Sequence, residues 1–251
     1  MESLQECQRS AVKLHATCQV IKVASRVEEV DLSPSRLKLP RRKAVLLAET
    51  LPSALLWCTS LRAIDLGGSH LLVTDELLDT IAGCCGTLRE LRLNYCESFS
   101  ALGLQTLALG LTRSLEVLSL VRCTAAVGNG QVLLAFPYLK QLDVTWCRQL
   151  DRRVPARLPS CVESLNLHGC EEVDDESLSV LSMPHLTRLN LAFAVITDDG
   201  LRTLVEGAPS LRHLTLSHRI NNLWNTGRWT EEGLAAYKRA APQVEVRFIS
   251  S

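Results

Sequence analysis

The chain has 251 residues, with 27 Lys and Arg against 27 Asp and Glu. Zero formal charge and a pI near 7.0 exclude a basic nucleic-acid footprint as the default reading. An apolar share of 47% with 22% charge excludes a mostly disordered chain, and the longest apolar runs, such as 54–58, fall far short of a membrane span.

The first predicted element is a helix. Leu4, Cys7, Ala11, Leu14, Cys18 and Ile21 are spaced 3, 4, 3, 4 and 3 apart, a one-faced pattern that we assign to an N-terminal cap over residues 1–26. Glu2 and Glu6 interrupt this stretch and no continuous apolar core follows, so no secretory signal is expected and the compartment is read as reducing. The ten cysteines are then thiols.

From residue 27 the chain repeats. Val27-x-x-Val30-x-Leu32 opens a long first unit, and Leu61-x-x-Ile64-x-Leu66 follows 34 residues later. The pattern then recurs from Leu88, Leu115, Leu139, Val162, Leu186 and Leu211, at intervals of 27, 27, 24, 23, 24 and 25 residues. A short strand is expected at each copy. The other half of the period reads as a capped helix. Thr74, Asp174, Thr197 and Thr230 stand as N-caps before acidic first turns, and an apolar stripe such as Leu201, Leu204 and Val205 leads to a stop at Gly207 and Pro209. The unit after Cys147 carries Pro155 and Pro159 where a helix belongs, so an irregular segment is expected there. Residues 217–251 form an extended last repeat and cap, with Asn221 to Asn225 as an insertion, a helix over 231–240 and an edge strand over 244–248. The repeat domain as a whole spans 27–249.

Cys96, Cys123, Cys147 and Cys170 each stand eight residues after the first apolar position of their unit, while Ser69, Ala194 and Arg219 replace that cysteine in three others. The joint Leu, Cys and Thr/Asp pattern resembles the cysteine-containing leucine-rich repeats of F-box substrate adaptors and antagonist-of-mitotic-exit-network proteins. The resemblance implies a right-handed α/β solenoid of about eight units with a curved parallel sheet, of the ribonuclease-inhibitor type. It also implies that the cysteine is a buried small side chain meeting loop backbone. Leu39-Pro40 and Leu51-Pro52 match only the first third of an F-box, and the characteristic second half is missing.

Chemistry-bearing motifs are absent from the sequence. There is no C-x-x-C, no His follows a Cys pair at ligand spacing, and Gly67-Gly68 and Gly128-x-Gly130 complete no phosphate loop. No metal, cofactor or enzymatic activity is expected. The basic run Arg36, Lys38, Arg41, Arg42, Lys43 reads either as a solvated face or as a nuclear-import signal.

The strand pattern itself offers a binding surface. Apolar positions 4 and 6 face the core, so positions 2, 3, 5, 7 and 8 face the concave side or its rim. Position 8 holds Tyr95, Arg122, Trp146, Phe193 and His218, three of the chain's eleven aromatics in one column. Aromatic and Arg residues together match the composition of protein-interface anchors; the alternative, strongest for Phe193, is that the rings pack on neighbouring loops. Arg92 and Asp143 at position 5 and His168 at position 7 complete the candidate partner-binding set. The expected function is a non-catalytic module that binds another protein on the concave sheet. Two alternatives stay open: a substrate-recognition subunit of an SCF-type ubiquitin ligase, or a structural subunit of a large assembly. No nucleic-acid partner and no membrane insertion are expected, and the chain is placed inside the cell, in cytoplasm or nucleus.

Overall fold

The computed structural model describes residues 26–33, 49–69, 72–217 and 228–249. The expected N-terminal helix, the basic run, His218 and the 221–225 insertion lie outside the described residues.

Nine strands form one sheet, each pairing in parallel with the next in chain order: β1 (Glu29–Asp31), β2 (Ala63–Asp65), β3 (Glu90–Arg92), β4 (Val117–Ser119), β5 (Gln141–Asp143), β6 (Ser164–Asn166), β7 (Arg188–Asn190), β8 (His213–Ser217) and β9 (Glu245–Ile249). The register aligns the fourth position of every unit, from Val30 beside Ile64 to Leu214 beside Val246. Leucines at the first, fourth and sixth positions are thereby stacked and buried; Leu88, Leu91, Leu93, Leu118 and Leu120 are 0% exposed. A lone unit has one apolar face and nothing to cover it. Stacking removes that face from water, contributing about 1.5–3 kcal/mol per buried leucine.

The helices follow their capping residues. α1 (Asp75–Cys84), α4 (Asp175–Ser179), α5 (Asp198–Gly207) and α6 (Glu231–Ala240) begin at the expected N-caps Thr74, Asp174, Thr197 and Thr230, and α2 (Ala101–Leu111) begins at Ser100. After Cys147 the chain makes only a 3-10 turn at Pro155–Arg157. The preceding unit is also short of helix, which the sequence pattern did not predict: α3 (Thr124–Val127) stops after four residues, because Gly128 and Gly130 take φ of 52° and 80°.

Two polar ladders tie successive units together. In the first, the opening aspartate of one helix accepts from the N-cap of the next. Asp75 takes the N–H and hydroxyl of Ser100, both at 2.8 Å, Asp175 takes those of Thr197, and Asp198 takes those of Thr230 at 2.6 and 2.7 Å. The third helical residue of each receiving unit is Gly103, Gly200 or Gly233, where a Cβ would collide with that same aspartate. The acidic first turns therefore join helices as well as complementing their dipoles. In the second ladder, each column cysteine donates its S–H to the sixth-position carbonyl of the unit before it. Cys96 reaches Leu66 O (3.3 Å), Cys123 reaches Leu93 O (3.0 Å), Cys147 reaches Leu120 O and Cys170 reaches Val144 O (both 3.4 Å). Ser69 makes the same bond to Leu32 O at 2.8 Å, so this departure from the cysteine pattern keeps the hydrogen bond.

Candidate protein-interaction surface

Each strand ends in one four-residue turn, closed by the ninth-position N–H bonding back to the sixth-position carbonyl: Cys96 to Leu93, Cys123 to Leu120, Cys147 to Val144, Cys170 to Leu167 and Ala194 to Leu191. A side chain holds the entry to most of these turns. Asp31, Asp65, Asp143, Asn166 and Asn190, all at position 5, accept the N–H two residues on, and where Ser119 occupies that position Asn94 of the previous unit accepts Val121 N–H instead.

The third residue of the turn is position 8, and its backbone is left-handed in all six units where it is described. Gly68 and Gly169 have φ of 77° and 68°; Tyr95, Arg122, Trp146 and Phe193 have φ of 59°, 60°, 61° and 63°. Glycine adopts this conformation freely, whereas an L side chain there costs about 1–2 kcal/mol. Four units thus carry a bulky residue at a position where two others show that glycine fits. The N–H of position 8 donates to the next unit's seventh-position carbonyl, as from Tyr95 to Val121 (2.7 Å) and Trp146 to His168 (2.7 Å), which locks the turn in place.

The side chains so displayed form a continuous stack along the rim. The Arg122 guanidinium lies 5.9 Å from the ring centres of both Tyr95 and Trp146. Trp146 also receives Arg148 at 5.2 Å, stands edge-on to His168 at 5.3 Å and meets Phe193 at 5.8 Å, and His168 and Phe193 are 5.1 Å apart. Gly169 makes room for this stack, since a Cβ there would stand 2.5 Å from the indole. Burial holds His168 below the usual imidazole pKa, with the nearby Asp143 opposing, so the ring is neutral in the stack.

The expected residues divide accordingly. Tyr95 is 49% exposed, Arg122 is exposed, and Trp146 and His168 are half-buried. Phe193 is 8% exposed, which corrects the expectation of a wholly solvent-directed column: its ring packs on Trp146 and His168. Asp143 and Arg92 are likewise engaged within the chain. The Asp143 carboxylate accepts from Thr145 N–H (2.9 Å), Thr145 hydroxyl (2.6 Å) and Asn166 amide (3.0 Å), and Arg92 pairs with Glu90 on its own strand. The left-handed column itself escaped the sequence reading. Its signal was Gly68 and Gly169, two glycines in register with the aromatics.

A direct check of the strain is Tyr95→Gly. The ring is half exposed and its one cation contact contributes about 0.5–1 kcal/mol, against about 1–2 kcal/mol of relieved backbone strain. Urea unfolding should show stability unchanged or raised by up to about 1 kcal/mol; a loss of more than about 2 kcal/mol would mean that the ring is a structural pillar.

The described residues contain no group of three or more His, Cys, Asp or Glu placed to hold a metal, and no helix among them is long and apolar enough to cross a membrane. A family model described as Leucine Rich repeat matches residues 182–205, which carry β7 and most of α5. Combined with eight in-register copies of the same leucine ladder, that match decides the fold. It is a leucine-rich-repeat solenoid.

Similar proteins include the putative F-box/LRR-repeat protein 23 of Arabidopsis thaliana, 29% identical over 43% of this chain and 27% of the relative. The F-box protein SKIP19 of the same plant is 27% identical over 43% of this chain and 38% of the relative. The chain therefore spans well under half the length of the curated relatives it matches. Among solved structures, the crystal structure of the Rad7 and Elc1 complex in yeast superposes with a TM-score of 0.61 at 24% identity, covering 79% of this chain and 50% of that one. This last likeness concerns the solenoid fold alone.

Proposed function

We propose that the protein is a non-catalytic interaction module whose partner protein is held on the rim formed by Tyr95, Arg122 and Trp146, with His168 and Phe193 as the packed floor behind them. One observation carries this reading: four units keep a strained backbone to display large side chains where glycine fits. Strain of this kind, held by the surrounding turn ladder, marks positions retained for what the side chain does. The exposed members are Tyr, Arg and a half-buried Trp, the residue types that dominate interface energetics. Asp143 and Arg92 contribute by shaping the adjoining sheet face; their oxygens and guanidinium are already engaged.

The F-box/LRR relatives favour one more specific form of this role, that of a recognition subunit in a ubiquitin ligase, through the shared repeat segment. No F-box stands among the described residues.

The test is crosslinking and mass spectrometry of the native protein in cell extract, comparing wild type with the Tyr95→Gly/Trp146→Gly double variant. Wild type should crosslink to a partner near the strand-to-helix turns of units three to five, and the variant should lose that crosslink while it remains folded. A partner crosslinked on the helical side, or one retained undiminished by the variant, would overturn the assignment. Co-purification of a Skp-type adaptor and a cullin would support the ligase form, and their absence from a native purification would remove it.

A further inference from the structure

Arg122 differs from the described cations nearest to it. Arg148 pairs with Glu171 at 3.2 Å, and Arg92 pairs with Glu90. Arg122 has no carboxylate within pairing distance among the described residues; it lies over the rings of Tyr95 and Trp146, each ring centre 5.9 Å from the guanidinium carbon. Ring contacts from the two neighbouring units restrict where the side chain can go and engage none of its N–H donors. A guanidinium restricted before binding loses less side-chain freedom on meeting a planar, two-oxygen acceptor, and the bidentate pair is among the stronger hydrogen-bonded contacts available.

The charges around it point the same way. The acids of the neighbouring strands are already engaged: Glu90 by Arg92, Glu116 by Arg89 and Lys140, and Asp143 by Thr145 and Asn166. Arg188, the first residue of β7, also lacks a carboxylate partner among the described residues, and it lines an open depression of about 440 Å³ with Asn166, Asn190 and Thr215. Three strand spacings separate the units of Arg122 and Arg188, roughly 14 Å across the sheet. Arg122 and Arg188 thus present donors that no carboxylate among the described residues engages.

We propose that Arg122, in contact with the rings of Tyr95 and Trp146, is the subsite for an Asp or Glu side chain on an extended acidic segment of the partner protein. This inference rests on the rim being the binding site. It adds the chemistry that the rim selects: a carboxylate seated on Arg122, flanked by apolar contact with the exposed halves of the two rings. A neutral segment would leave the guanidinium desolvated without an acceptor, which is the element of discrimination against other partners.

The test uses the full chain as bait for a random library of phage-displayed peptides of about 12 residues, followed by synthetic versions of the selected peptides. Expected are peptides sharing one acidic position beside an apolar residue. Their affinity should fall about tenfold or more with Arg122→Gln, in line with loss of one partner of a charge pair. The same peptides with Asp→Asn or Glu→Gln should bind wild type and Arg122→Gln equally, closing the cycle on that one contact. Unfolding midpoints of wild type and variant, measured alongside, establish that both are folded. Peptides that require Trp146 yet share no acidic position would overturn the carboxylate assignment and leave the rim reading intact. A library from which nothing dependent on Trp146 emerges would defeat the rim reading and this inference with it. Phosphoserine in place of the acidic residue should bind no better than Glu; a gain of about tenfold would assign the subsite to phosphate instead.

Discussion

Stability is expected to collapse between about pH 9 and pH 11, because the core is threaded with thiols that ionise only when the chain unfolds. Burial pushes Cys85, Cys123, Cys147 and Cys170 up to about 12 and Cys96 up to about 11. Released into water, the same thiols titrate near 8.5. Below that value both states hold the protons, and the thiols impose no pH dependence. Above it the unfolded chain gives up protons that the native chain keeps, so the unfolded state binds fewer protons and stability falls as pH rises. Each thiol contributes a slope of about 1.4 kcal/mol per pH unit, and the five together about 7, against a typical total stability of about 5–15 kcal/mol. Burial also raises Tyr237 to about 12, and this steepens the decline beyond pH 10. Circular dichroism followed against pH should therefore show cooperative unfolding within one to two units above pH 9. In the Cys123→Ala/Cys147→Ala variant, urea titrations at several alkaline pH values should give a slope shallower by about 3 kcal/mol per unit. A wild-type stability that stays level from pH 8 to pH 10.5 would show that these thiols are hydrated in the native chain.

This alkaline sensitivity grows from a feature plainly legible in the sequence, since the cysteine column can be counted from the spacing alone. The leucine ladder was equally legible, because a sixfold recurrence at 23 to 27 residues leaves one way to bury every copy: side by side. Helix starts could be read from Thr74, Asp174, Thr197 and Thr230, whose capping chemistry is local. What the sequence hid was the outcome of competition between neighbours. Asp143 and Arg92 looked like free charges on an open face, yet Thr145, Asn166 and Glu90 stand at the separations that parallel register and strand pleat make close. Phe193 sat in the right column for exposure, but the rings of Trp146 and His168 from two preceding units cover it. The left-handed backbone of position 8 was masked by its own occupants, since Tyr, Trp and Phe ordinarily signal extended strand. Binding sites often violate local preference in this way, and a residue-by-residue reading assigns the preference where the molecule has kept the exception.

The aspartate-to-cap ladder makes the same point in energetic form, through a substitution whose sign should depend on a residue in another unit. Gly200→Ala ordinarily helps a helix, by about 0.5–1 kcal/mol. Here the new Cβ would collide with Asp175, whose carboxylate holds both the N–H and the hydroxyl of Thr197. Displacing it forfeits two hydrogen bonds to a charged acceptor, each contributing about 1.5 kcal/mol or more, so the substitution should destabilise wild type by about 2 kcal/mol after the helical gain is subtracted. In an Asp175→Ala background the obstructing carboxylate is gone. There Gly200→Ala should be neutral or stabilising, with only the Ile196 methyl at 2.9 Å left to shift. The coupling from the four unfolding curves should be about 2 kcal/mol, within the range for residues in direct contact. Gly83→Ala in α1, where a Cβ meets nothing within 4 Å, isolates the helical gain and should stabilise in every background. An additive cycle at 175 and 200 would mean that the carboxylate swings away without loss, and that successive helices are joined by apolar packing alone.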